Sequence, residues 1–282
     1  MITALVTTYN PNISSLENIM SYAYSVDRII ICDNSAESNE ELFLSIPKCI
    51  YKHNYYNMGI SVAFNKELKD ASYAWKEDEY IIFFDQDSKV EKKHVENLVE
   101  IYNKLEKKYK IGCLGPVYYN IVSQNTECIL GKKITDSVFE TPAIITSSML
   151  CQFGILKKID FFNEKIFLDF ADWDLCWRLK ANDFRVFTTN SVRLIHSVGE
   201  SGAKFGPINV RKWSAIRTYY QVRDGKFLLR QKYIPLRYRI HLEYMTRILP
   251  RLSIQLFDDI ENRKKYYQQA LKDNYDGKYG PF

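Results

Sequence analysis

The chain has 282 residues, with 39 Lys and Arg against 34 Asp and Glu, a formal net charge of +5. Apolar residues at 46% and charged residues at 26% exclude a disordered chain, and 11 Gly with 8 Pro exclude collagen-like or low-complexity character. Single cores rarely outgrow ~250–300 residues, so one large domain or two small ones are expected.

In chain order, Thr3–Thr8 reads as a strand, Tyr9-Asn10-Pro11 as a turn, and residues 14–24 as a helix. Arg28-Ile-Ile-Ile-Cys32 is a fully buried strand that stops at Asp33-Asn34-Ser35. A helix at 39–45, a short strand at 49–52 and a helix at 60–75 precede a second buried strand, Tyr80–Phe84, and a helix at 91–108. Apolar strands separated by helices predict an α/β fold whose mostly parallel central sheet is covered on both faces. In such a sheet the ligand crevice lies beyond the carboxyl ends of the strands. Three polar clusters fall there: Thr7-Thr8-Tyr9-Asn10, Asp33-Asn34-Ser35 and Asp85-Gln86-Asp87-Ser88.

The six cysteines (32, 49, 113, 128, 151, 176) form no Cys-x-x-Cys pair and read as free thiols rather than a zinc site or disulfide framework. No basic leader opens the sequence, and no apolar run approaches the ~18–20 residues of a membrane span, so a cytoplasmic location is expected. Charge is uneven. Between Lys204 and Arg251 twelve Lys and Arg meet only Asp224 and Glu243, a local net of +10, with eight aromatics interleaved. This places a boundary near 203, between an α/β domain (1–203) and a basic, aromatic-rich helical region (204–282). The basic region suits an anionic membrane surface, or else consists of helices with solvated basic faces; no nucleic-acid-reading motif accompanies it.

Chemistry is carried by acidic groups. Asp85-x-Asp87 sets two carboxylates just past a buried strand, a pattern suited to a hard divalent cation sharing substrate phosphates. Asp169-Phe-Ala-Asp172-Trp-Asp174 opens a helix whose dipole favours acids, but three carboxylates exceed what capping requires, and one of them is a candidate general base. His196, at the end of a short apolar strand beside Gly199, is either a structural residue or a further metal ligand.

Six segments in order carry a family resemblance: Thr-Thr-Tyr-Asn-Pro (7–11), Cys-Asp-Asn-Ser (32–35), Asn57-x-Gly59-Ile-x-x-Ala-x-Asn65, Phe-Asp-Gln-Asp-Ser (84–88), Asp-x-x-Asp-x-Asp-x-x-x-Arg (169–178) and His-x-x-Gly (196–199). Over residues 1–230 the chain resembles the inverting family 2 glycosyltransferases with a GT-A fold, and within them the bacterial rhamnosyltransferases of surface polysaccharide synthesis. The resemblance implies that Thr7, Tyr9, Asp33 and Asn34 line the base pocket, with Asp33 accepting from a uracil or thymine ring N–H. Asn57, Gly59 and Asn65 would shape the ribose wall, and Asp85 and Gln86 would face the donor. Asp85, Asp87 and His196 would hold Mn²⁺ or Mg²⁺, and Asp172 would be the base. Trp173, Asp174, Arg178, Tyr220 and Arg223 would contact the acceptor or the diphosphate. The implied partners are a dTDP- or UDP-sugar, with dTDP-rhamnose first, and a saccharide or lipid-diphosphate-linked acceptor at the inner membrane. UDP-hexose and UDP-galactofuranose donors stay open, as do a nucleotidyltransferase and a polysaccharide-binding module. A nucleotidyltransferase would carry a Gly-rich, basic loop where Thr-Thr-Tyr-Asn-Pro stands, and a binding module has no need of Asp85, Asp87 and Asp172 together.

Overall fold

A computed structural model of the protein describes residues 1–120, 125–127, 131–196, 203–205, 208–210 and 212–282. The first half runs β1 (Ile2–Thr8), α1 (Ile13–Met20), β2 (Arg28–Asp33), α2 (Glu40–Phe43), β3 (Cys49–His53), α3 (Ile60–Leu68), β4 (Tyr80–Asp85), β5 (Lys89–Val90) and α4 (His94–Glu106). It continues with β6 (Ile111–Asn120), β7 (Asn125–Glu127), β8 (Lys132–Lys133), β9 (Val138–Glu140), β10 (Met149–Gln152), α5 (Phe153–Lys158), α6 (Ala171–Ala181) and β11 (Arg185–His196). After the pair β12 (Ala203–Phe205) and β13 (Ile208–Val210) come α7 (Ala215–Leu228), α8 (Leu236–Glu243), a π turn (Tyr244–Ile248), α9 (Leu249–Leu256) and α10 (Ile260–Tyr275).

The apolar runs at 2–8, 28–33 and 80–85 are buried on both faces, so they pair side by side. The main sheet has the order β3-β2-β1-β4-β10-β6-β11-β9-β8. Its β3-β2-β1-β4 half is parallel, as expected for strands joined through helices, with Thr7 opposite Cys32 and Asp85 in register. The sequence did not anticipate β10, which enters antiparallel between β4 and β6; β11 then runs parallel to β6.

Alternation along the strands divides the core in two. Leu5, Ile30, Cys32, Ile81 and Phe83 face α3, α5, α6 and part of the C-terminal helices. Ala4, Val6, Ile29, Ile31, Ile82 and Phe84 face α1 and α4. Helix α3 stops at Leu68 rather than near 75, because Asp70 caps a separate turn through Ser72 N–H (2.8 Å).

The C-terminal helices share the first core: Phe227, Leu228, Tyr238 and Leu242 pack in one cluster with Leu175 and Trp177. This changes the picture of a basic aromatic face. Tyr219, Tyr220, Phe227 and Tyr238 are buried, and Arg223 lies in the interior. Arg239 donates to the carbonyls of Leu229, Gln231 and Ile234, Arg230 to Asn274 and Tyr279, and Lys226 to Glu243. Arg239 thus satisfies three carbonyls around the start of α8, while Arg230, though exposed, and Lys226 are held by side chains, uses of cations that composition does not reveal. Lys232, Arg237, Arg247 and Arg251 remain exposed, beside Leu236, Ile240 and Ile248. Lys204, Phe205 and Arg211 lie outside the side chains described. Among the described residues no helix is long and apolar enough to cross a membrane.

Candidate active site

At the carboxyl ends of β1, β2 and β4 lies a cavity of about 600 Å³. Thr7, Thr8, Tyr9, Asn34, Asn57, Gly59, Asp85 and Gln86 line one side of it, and Phe167, Ser214, Ile216, Arg217, Tyr220 and Phe282 the other. The first side follows from register: strands ending level bring their first polar residues to one rim. Gln86 locks two of these ends together, accepting from Tyr9 N–H (2.7 Å) and donating to the Tyr9 carbonyl (3.3 Å). The Tyr9 ring is left 51% exposed at the rim, available to stack on a planar base. Asn57 accepts from Gly59 N–H (3.0 Å), and Asn34 donates to the Gly59 carbonyl (3.4 Å). Gly59 has φ +81°, and a Cβ there would meet the Phe167 carbonyl oxygen at 2.4 Å. That junction needs glycine.

Asp85 ends β4, and the Ser88 N–H closes the following turn on its carbonyl (3.1 Å). Asp87 sits in that turn, partly buried, and Ser88 Oγ is tied to Ser147 Oγ. Asp172 lies in the first turn of α6, partly exposed, accepting from Trp173 N–H (2.8 Å). Burial pushes its carboxyl up to about 7, the Trp173 N–H opposes this, and the charges of Asp169 and Asp85 add to the rise. A carboxyl titrating there is suited to take a proton near neutral pH.

Several expected site residues are used inside the protein instead. Asp33 is fully buried and holds Ser35 N–H and Oγ, Asn39 Nδ2 and the Tyr51 hydroxyl. Burial raises its pKa, but these donors outweigh that and hold it below the ordinary carboxylate range. Asp33 therefore organises the end of β2 and does not line the cavity. Asn65 is also buried, binding Phe162 carbonyl and N–H (2.8 and 3.0 Å) and Glu164 (2.9 Å), so it pins α3 to the 162–164 loop rather than shaping a ribose wall.

Asp174 is fully buried between Arg178 Nε (2.6 Å) and the Tyr233 hydroxyl. Arg178 spends its other nitrogens on the carbonyls of Ile159 and Phe161 (both 2.6 Å). Trp173 packs among Phe170, Trp177, Tyr238 and His241, away from the cavity lining. Arg223 is 1% exposed, donating to Asp224 (2.7 Å) and the Gly280 carbonyl (2.6 Å). Asp224, pushed up to about 6 by burial against the pull of Arg223, accepts from Phe167 N–H (2.8 Å). Of that expected group Tyr220 alone reaches the cavity, stacked on Phe167 at 4.0 Å, with its hydroxyl accepting from Phe282 N–H (2.9 Å). The side chain of His196, at the end of β11, lies outside those described.

Oxygen donors two residues apart in a closed turn fit a hard divalent cation. Among the described residues no group of three His, Cys, Asp or Glu converges, so a cation held by Asp85 and Asp87 would need oxygens from a bound phosphate. Arg217, Phe167, Ile216 and Phe282 also line the cavity, and no motif in the sequence points to them. Arg217 is one of twelve cations in its stretch, and nothing in its neighbours marks it.

Residues 6–139 match the model for Glycosyl transferase family 2. The chain is 25% identical over 246 residues, 83% of its length and 81% of the relative's, to the dTDP-rhamnosyl transferase RfbF of Shigella flexneri. Among solved structures it is similar to GalNAc-T7 with UDP, GalNAc and Mn²⁺ (TM-score 0.58, 13% identity, 99% of this chain and 58% of that chain). Staphylococcus aureus TarS 1-349 in complex with UDP-GlcNAc gives a TM-score of 0.58 at 15% identity, over 97% of this chain and 80% of that one. The present chain thus spans just over half of the GalNAc-T7 chain. The sheet and its flanking helices are those of GT-A glycosyltransferases, and the stretch that carries the strand-end rim is similar to family 2 of these enzymes. One relative that it resembles, at 25% identity, is named as a dTDP-rhamnosyl transferase.

Proposed function

We propose that the chain transfers L-rhamnose from dTDP-rhamnose to a hydroxyl of a saccharide or lipid-linked saccharide in bacterial surface polysaccharide synthesis. The observation that carries this reading is the placement of Asp172. Asp172 stands outside the lining itself, in the first turn of the helix that follows Phe167 and Leu168 of the cavity wall; burial lifts its carboxyl, and the charge of Asp85, which lines a cavity the size of a nucleotide sugar, adds to the rise. The similarity to RfbF supports the choice of sugar and nucleotide.

In this reading Tyr9 and Asn34 receive the base, and Asn57 and Gly59 border the ribose. Asp85 and Asp87, with His196 as a further ligand, would hold Mn²⁺ or Mg²⁺, which when bound neutralises charge on the diphosphate. Asp172 takes the proton from the acceptor hydroxyl as its oxygen bonds to C1 of the sugar. The C1–O bond to the β-phosphate breaks, its electron pair leaves with the diphosphate, and the single displacement inverts C1.

A membrane location is part of the proposal, through one exposed ridge. Leu236, Ile240 and Ile248 are 75%, 68% and 50% exposed along α8 and the π turn, with Arg237, Arg247, Arg251 and Lys232 around them. Aliphatic side chains flanked by cations suit an anionic lipid surface, where a lipid-linked acceptor is presented.

A thermal-shift panel of dTDP-, UDP- and GDP-sugars with and without Mn²⁺ tests the donor. A ligand at 100 times its Kd stabilises by ~2.7 kcal/mol. Stabilisation by dTDP-rhamnose above the other sugars is expected. A larger shift with a UDP- or GDP-sugar would overturn the rhamnosyl assignment.

A further inference from the structure

We infer that Arg217 is the protein's own cation for the diphosphate leaving group; this rests on the donor reading above. Arg223, the arginine that the sequence pattern suggested for this contact, is buried against Asp224 and the Gly280 carbonyl and lies outside the cavity lining. The cavity still has to receive a group whose negative charge grows as the sugar leaves. Among the described lining residues Arg217 is the one Lys or Arg, and Asp85 the one carboxylate.

The arginine is held ready. Its backbone N–H caps on Ser214 Oγ (3.3 Å) in the first turn of α7, which fixes where the side chain starts. Nε and Nη2 donate to the Asp169 carboxylate (3.1 and 2.7 Å), and the guanidinium lies 4.0 Å over the Trp213 ring. Two sides of the fork are thus fixed, while Nη1 makes no hydrogen bond to a described residue. The side chain is 35% exposed, so solvent and ligand reach it, unlike Arg223 at 1%. A planar guanidinium with a free edge is suited to phosphate oxygens, and its orientation is set before the donor arrives.

Asp169 stands three residues before Asp172, so the same ion pair joins the start of α7 to the loop that delivers the base. In the transfer step Arg217 adds positive charge beside the departing oxygen, and no proton changes hands there. Such preorganised charge is most effective where charge develops.

The test is calorimetry with Arg217→Gln and Arg217→Lys, titrating thymidine, dTMP and dTDP (and the uridine series) with Mn²⁺ present. Arg217→Gln should lose roughly 10–100-fold in nucleoside diphosphate affinity with thymidine binding unchanged, the range of a lost charge-assisted hydrogen bond. Arg217→Lys keeps the charge but not the fork, and should fall between. Diphosphate affinity equal to wild type in Arg217→Gln overturns the inference. If that variant fails to fold, as loss of thymidine binding and of its melting transition would show, Arg217→Lys decides, and an unchanged Kd for dTDP overturns the inference. A wild-type protein that binds no nucleoside diphosphate would sink the donor reading instead, a result distinct from either.

Discussion

Two aspartates of one motif, Asp172 and Asp174, meet opposite fates although the sequence gives both the same helix start. Asp174 is sealed between Arg178 and Tyr233, while Asp172 keeps partial access to solvent and titrates near 7. A raised carboxyl pKa binds its proton more tightly in the folded state. The resulting stability is therefore full below about 4 and is lost as pH rises through about 7. Asp172→Asn removes that loss. Because solvent reaches part of the group, the variant should exceed wild type at pH 8 by about 1–2 kcal/mol, with the gap closing at pH 4. Denaturant melts at the two pH values check this, and a variant less stable at pH 8 would contradict it. The same titration predicts that wild-type kcat rises with pH to a plateau, with an apparent pKa near or below 7 once a cation sits by Asp85. At the strand-end turn, Asp87→Ala should lose Mn²⁺-dependent binding of a nucleoside diphosphate. Undiminished Mn²⁺-dependent affinity by calorimetry would remove Asp87 from the ligand set.

Among the elements, the loop 166–170, which leads into Asp172, is fixed from two sides. From one, α3 begins at Gly59, with Ile60 N–H donating to the Phe167 carbonyl (2.8 Å). From the other, α7 contributes Tyr220 stacked on Phe167, Asp224 on its N–H, and Arg217 on Asp169. Gly59→Ala places a Cβ 2.4 Å from that carbonyl and strains a left-handed backbone, so it should cost about 1–3 kcal/mol and weaken donor binding together. Chemical denaturation and a dTDP titration on one sample check both effects, and a stable variant with normal affinity would show that the junction is slack. The strands that build the first rim were legible because continuous apolar runs such as Arg28–Cys32 have no other home than a sheet covered on both faces. Strand β10 was not, because Met149–Gln152 is too short to distinguish from the buried helix that follows it. The cavity lining was legible where polar residues end strands, as at Thr7, Tyr9, Asn34, Asp85 and Gln86. It was illegible where a polar side chain satisfies backbone in the interior, as Asn65, Arg178 and Arg223 do, since residue type and spacing are the same in both cases.

For the whole molecule, the local excess of positive charge divides into an interior share that ties the C-terminal helices down and an exterior share beside the Leu236–Ile240–Ile248 ridge. Near an anionic surface each Lys or Arg contributes ~1 kcal/mol, so Lys232, Arg237 and Arg251 supply up to ~3 kcal/mol, Arg247 being partly offset by Glu243 at 3.7 Å, and the aliphatic residues add to it by burial. Leu236→Ser with Ile240→Ser and Ile248→Ser should weaken co-sedimentation with anionic vesicles while leaving dTDP affinity unchanged. Added salt should weaken the wild-type association, since exposed charges are screened over ~8–10 Å at physiological ionic strength. Equal binding of the wild type to neutral and anionic vesicles at low salt would refute the electrostatic part of this account.

The central claim, that the carboxylate of Asp172 activates an acceptor hydroxyl against a donor held at the strand ends, is tested most directly by Asp172→Asn under donor saturation. The account predicts a fall in kcat of ~10²–10⁴, with the Kd for dTDP within about twofold of wild type. An Asp172→Asn enzyme that keeps more than about half of the wild-type kcat would contradict it.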